Sequence, residues 1–78
     1  MKRTYTKADS SNCNATFSVV THYWENGVKS YTGSIQFSEN GMRLFTHHVP
    51  VERTTKTDAL LDCVEHLTSG EFGEWITE

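Results

Sequence analysis

Three runs of β-prone residues are separated by the same dipeptide. Ala15–Glu25 holds Phe17, Val19, Val20, Tyr23 and Trp24 and ends at Asn26-Gly27. Val28–Glu39 follows and ends at Asn40-Gly41, and Met42–Val51 follows that. Asn-Gly between such runs signals a two-residue hairpin turn, because both turn residues must take positive φ. The pattern predicts a three-stranded antiparallel β-meander.

Two-residue turns also fix a register. Val20 is expected opposite Gly33, Gly33 opposite His48, and Phe37 opposite Leu44. One face then gathers Val20, Trp24, Tyr31, Ile35, Phe37, Met42 and Leu44. The other gathers Phe17, Val19, Tyr23, Phe45, Val49 and Val51 around a polar stripe of Ser30, Thr32, Ser34 and Gln36. The central strand is the most enclosed, so its apolar set, Tyr31, Ile35 and Phe37, marks the core face.

The period then changes. Leu60, Cys63, Val64 and Leu67 stand at i, i+3, i+4 and i+7, one stripe of a helix, with Asp58, Asp62 and Glu65 placed on its opposite side. Thr55-Lys56-Thr57-Asp58 resembles a capping box, either Thr55 or Thr57 serving as N-cap, and Gly70 suits the residue after the helix. Phe72, Trp75 and Ile76 fit one helical turn folding back, with a short strand as the alternative. Residues 1–14 read as a polar arm with room for a short edge strand at Thr4–Lys7. The expected fold is α+β: a three-stranded antiparallel β-meander followed by one amphipathic helix (βββα), residues 15–78 forming a single domain.

With 78 residues there is one small core, since a chain of this size buries only about 60% of its unfolded surface. Such domains gain from disulfides, a metal or a partner chain. The two cysteines, Cys13 and Cys63, are too few for a disulfide scaffold,. No export-signal pattern and no membrane-length apolar run appears, so the expectation is a cytoplasmic protein with free thiols. The net charge of −3 is unevenly spread. Residues 1–56 carry all seven Lys and Arg against four acids, whereas residues 57–78 carry six acids and no Lys or Arg.

Candidate chemistry is sparse. His47 and His48 are adjacent on a strand and point to opposite faces, and no Cys-x-x-Cys or His-x-x-x-His pair gives metal-ligand spacing. Cys63 lies on the buried helical stripe, where cysteine acts as a small hydrophobe. The glycines are accounted for by turns, a close approach in the sheet and a helix stop, so no phosphate loop remains. No cofactor and no catalytic activity is expected. Two surfaces are left. The acidic helix and tail, with Asp58, Asp62, Glu65, Glu71 and Glu74, suit a protein partner with a basic surface. The outer sheet face, with Phe17, Tyr23, Phe45 and Val49, suits a partner or a homodimer interface.

The strand–strand–strand–helix order, with Thr-Lys-Thr-Asp-Ala-Leu-Leu opening the helix, resembles the sheet-plus-helix arm-site DNA-binding domains of phage and transposon integrases over residues 15–69. Those domains insert a basic sheet into the major groove. Here the outer face carries Arg43 alone, so nucleic acid is not the expected partner. In size, acidity and absence of catalytic parts the chain is also similar to phage-encoded inhibitors of host defence such as anti-CRISPR proteins. That similarity implies a non-enzymatic protein that blocks a macromolecular partner.

Overall fold

Asn40 and Gly41 take φ of 54° and 80°, and Glu39 pairs with Met42 across them. This is the two-residue turn that Asn-Gly favours. In the computed structural model, which describes residues 4–77, the turn joins two of five strands: β1 (Thr4–Lys7), β2 (Ser10–Tyr23), β3 (Lys29–Glu39), β4 (Met42–Arg53) and β5 (Trp75–Thr77). One helix, α1 (Lys56–Thr68), follows β4. The strands form one antiparallel sheet in the order β4-β3-β2-β1-β5. The α+β class and the helix after the meander stand. The strand number does not, because the expected three-stranded sheet is the core of a five-stranded one.

The two added strands are the short edge strand for which the polar arm has room, at Thr4–Lys7, and the strand that is the alternative to a helical turn around Trp75 and Ile76. Tyr5 is buried, its ring 5.2 Å from that of Phe17, and Tyr5 and Thr6 pair with Ala15 and Asn14 of β2. One apolar residue per strand face is enough to fix so short a strand once a neighbour offers its edge. The C-terminal segment pairs with β1 in turn, Trp75 opposite Lys7 and Ile76 opposite Thr6. Gly70 and Gly73, at φ of 103° and 84°, break helical continuation before it. Lys7 fastens this corner, donating to the Phe72 carbonyl at 3.3 Å and lying 5.4 Å from the Trp75 ring centroid. Lys2, Arg3 and Glu78, which entered the charge count, lie outside the described residues.

The register departs from expectation at both hairpins, each time by one residue. Around Asn26-Gly27 the closing pair is Trp24 and Val28, with Trp24 N–H donating to the Val28 carbonyl at 3.0 Å. The loop therefore has three residues. Gly27 alone takes positive φ, 80°, while the Asn26 side chain accepts from Val28 N–H at 3.1 Å. An asparagine that caps its own turn in this way favours the three-residue loop with a left-handed glycine. On the other side, Ser38 pairs with Arg43 but Phe37 pairs with Phe45, so Leu44 is an extra residue in a β-bulge,.

A slip of one residue turns a strand over. Both flanking strands are thus inverted relative to expectation, while the central strand keeps its assigned face. Phe17 now stands opposite Ile35, and Phe45 opposite Phe37. Phe17 and Val49, expected on the outer face, are buried in the core with Ile35, Phe37, Leu60 and Leu67. Val20, Trp24 and Leu44, expected inside, are exposed. The Phe37 ring collects Phe45, Phe72 and Trp75 around it at centroid distances of 4.7, 5.0 and 5.7 Å.

Helix α1 covers this face. Thr55 is its N-cap, the side-chain oxygen accepting from Asp58 N–H at 3.2 Å,. Gly33 lets the helix approach: a Cβ there would meet the Ala59 carbonyl and the Cys63 sulfur. Cys63 Sγ–H donates to the Ser34 carbonyl at 3.7 Å, and burial pushes its thiol up to about 11.

Candidate outer-face groove

Strand β4 contains a second irregularity. Ser34 pairs with His48 and Thr32 with Glu52, so Val49, Pro50 and Val51 all stand opposite Gly33. Pro50 has no N–H to give a ladder and is tolerated at an edge or a bulge. The detour lifts this part of β4 away from β3 and opens a groove of about 520 Å³ lined by Val20, His22, Thr32 and the segment from His48 to Glu52. Val20, His22, Thr32, His48 and Glu52 share one face by their pairing. It is the face opposite α1, where Ile35 and Gly33 meet the helix.

Beyond the groove the β2–β3 hairpin continues. The described chain is elongated, 46 × 22 × 20 Å. Trp24 is 51% exposed and Val28 54%. Trp24 Nε1–H donates to Ser30 Oγ at 3.0 Å, which holds the indole against the outer face. Trp24 and Val28 line a second hollow with Glu25 and Asn26. Val20 and Val51 are also exposed. Val20, Trp24 and Val28, with Val51 of the bulge, therefore gather at one end of a sheet face whose middle is hydroxyl- and amide-lined. There, Thr16 Oγ1–H donates to Gln36 Oε1 and Gln36 Nε2–H to Ser18 Oγ.

The charges at this end are segregated by face. Lys29 lies 5.6 Å from the Tyr23 ring centroid, and both residues follow the helix-side alternation. Arg53 closes on Asp62 through two parallel hydrogen bonds, Nε–Oδ2 at 2.8 Å and Nη2–Oδ1 at 2.9 Å. The Asp62 carboxylate, by its hydrogen bonds and its charge, raises the guanidinium pKa still further. The side-chain carboxylates of Glu52 in the groove and Glu25 in the hollow have no ion pair or hydrogen bond among the described residues. His22 Nε2 is hydrogen-bonded with Thr32 Oγ1 at 3.1 Å, so its ring is oriented.

The residues singled out from the sequence fall in several places. Asp58, Glu65, Glu71 and Glu74 are exposed, but Asp62 is 6% exposed and satisfied by Arg53. Asp62 is thus withdrawn from the acidic face, which holds Asp58 and Glu65 with Leu61 exposed between them. The sheet-face set divides. Phe17 and Val49 belong to the core, whereas Tyr23 and Phe45 are exposed on the helix side of the sheet. The hydrophobic pattern alone does not reveal the groove, because it places Val20 and Trp24 inward. Pro50 within a strand-like run was the available signal, since proline there marks an edge or bulge.

No group of three His, Cys, Asp or Glu able to hold a metal occurs among the described residues. His47 faces the helix, its ring 5.7 Å from that of His66, with Nε2 buried and unpartnered. Cys13 and Cys63 are both free. No described helix is long and apolar enough to cross a membrane. No protein family, curated protein or solved structure matches this chain.

Proposed function

We propose that this is a non-enzymatic binding protein that acts by occupying a surface of a partner protein, its contact centred on the outer-face groove and Trp24. The observation that supports the reading is the convergence of Val20, Trp24, Val28 and Val51 around a groove on the sheet face that α1 leaves uncovered. Contiguous exposed apolar surface with a polar rim is typical of interaction sites. Tryptophan is enriched among the residues that dominate interface energy. The rim carries Glu25 and Glu52 without counter-ions, which favours a partner with basic character. The exposed carboxylates of α1 add to that bias from the opposite side. Blocking by occlusion needs no catalytic constellation, only a well-placed patch.

The test compares the wild type with Trp24→Ala, a change at an exposed site that leaves the core intact. A protein captured by the immobilised wild type and lost from the variant, with unchanged thermal midpoints, supports the reading. Capture that is indifferent to Trp24 sinks it. Steeply salt-dependent binding to random duplex DNA, also indifferent to Trp24, favours the sheet as a nucleic-acid surface instead.

A further inference from the structure

The geometry points to a ligand class for the groove: the side chain of an arginine presented by the partner. This rests on the binding-protein reading and deepens it. The groove has aliphatic walls, Val20, Pro50 and Val51, and a carboxylate, Glu52, at the end of the β4 detour. Its volume of about 520 Å³ lies in the range of small-ligand sites, roughly 300–1,000 Å³. Such a lining suits a side chain with an apolar stem and a cationic head, the stem covering apolar surface while the head stays wet. A guanidinium matches a carboxylate in a planar, two-point contact that an ammonium cannot make.

The two cations that flank this end of the sheet do not compete for Glu52. Arg53, its immediate neighbour, crosses to the other face and is held there by both oxygens of Asp62. Lys29 sits over Tyr23. At this end of the sheet Arg53 and Lys29 thus lie on the helix side, and one carboxylate is left open beside an apolar groove. His22 is fixed by Thr32 and contributes a flat edge to the wall.

The experiment titrates isotope-labelled protein with blocked arginine (N-acetyl-arginine methylamide), and with its citrulline and norleucine counterparts. The expected result is saturable amide shifts at Val20, His22, Thr32, Val51 and Glu52, with a dissociation constant on the order of millimolar, as befits one side chain in an open site. Citrulline keeps the shape and loses the charge, and norleucine keeps only the stem; both should bind at least about tenfold more weakly, since each loses the charge-assisted contact. Glu52→Gln should weaken arginine binding by a similar factor with no change in thermal midpoint. Shifts spread over the whole surface, equal binding of citrulline, or full binding by Glu52→Gln would each overturn the assignment. Trp24 lies outside the groove lining, so Trp24→Ala should retain arginine binding while losing partner capture. The two readings therefore fail separately: absent arginine shifts with Trp24-dependent capture remove only the ligand class.

Discussion

Gly33 lies directly beneath the Ala59 carbonyl, and no side chain fits between the central strand and the helix at that point. The contact sets the height of α1 above the sheet. Gly33→Ala is expected to destabilise the fold by about 1–3 kcal/mol, because the obstacle is helix backbone and cannot rotate away. Chemical denaturation checks it. Gly41→Ala provides contrast: space is open there, and its cost comes only from the strained positive φ.

The inverted flanking strands make a sharp pair of expectations. Phe17→Ala removes a ring from beneath the helix and should cost about 3–5 kcal/mol. Tyr23→Ala, six residues along the same face but 76% exposed beyond the helix, should change stability by less than about 0.5 kcal/mol. Equal losses at the two positions would mean that β2 is registered differently.

How much of this was legible can be judged at Asn26 and Asn40. Both precede glycine between strand-like runs, and both do make hairpins. Asn40 takes the left-handed conformation of a two-residue turn, whereas Asn26 caps Val28 and makes a three-residue loop. The dipeptide announces a turn but leaves its length to the packing of residues far away. Phe17 and Ala15 gain a helix to pack against only when β2 slips by one. The central strand was readable because Ile35 and Phe37 alternate with Ser34 and Gln36 regardless of neighbours. Its flanks carry apolar residues on both faces, so their pattern allowed either orientation. Asp62 was misplaced for a related reason: its helical position borders the buried stripe, and only the end of β4 brings Arg53 to meet it.

That ion pair separates two carboxylates that look alike in sequence. Asp62→Asn should lower the thermal midpoint, since it leaves Arg53 with one weakened partner and an uncharged amide in a buried position. Glu65→Gln should leave the midpoint unchanged, its carboxylate being solvated. A larger loss at Glu65 would return Asp62 to the acidic surface.

Cys63 gives a dependence on alkaline pH. Its thiol is raised from 9.0 to about 11 by burial in the folded protein, so the native state holds the proton more tightly than the unfolded chain does. The resulting stability is fully present below pH 9 and is lost as pH rises toward 11, amounting to at most about 2–3 kcal/mol. Unfolding curves of wild type and Cys63→Ala should therefore converge over that window. Curves that stay parallel from pH 8 to 11 would show that the thiol does not titrate differently in the two states.

The detour at Val49–Val51 adds two residues to β4 against β3, from His48 opposite Ser34 to Glu52 opposite Thr32. Because the surplus is even, the alternation of the strand resumes in phase and every later side chain keeps its face. An odd surplus would have carried Arg53 to the wrong side and stranded Asp62. The strand can thus shed Pro50 and Val51 together, keeping Val49 beneath the helix, and still zip correctly onto its neighbour. The fold and the outer-face groove are written in separable letters: removing Pro50 and Val51 together is expected to erase the groove while the sheet goes on folding,.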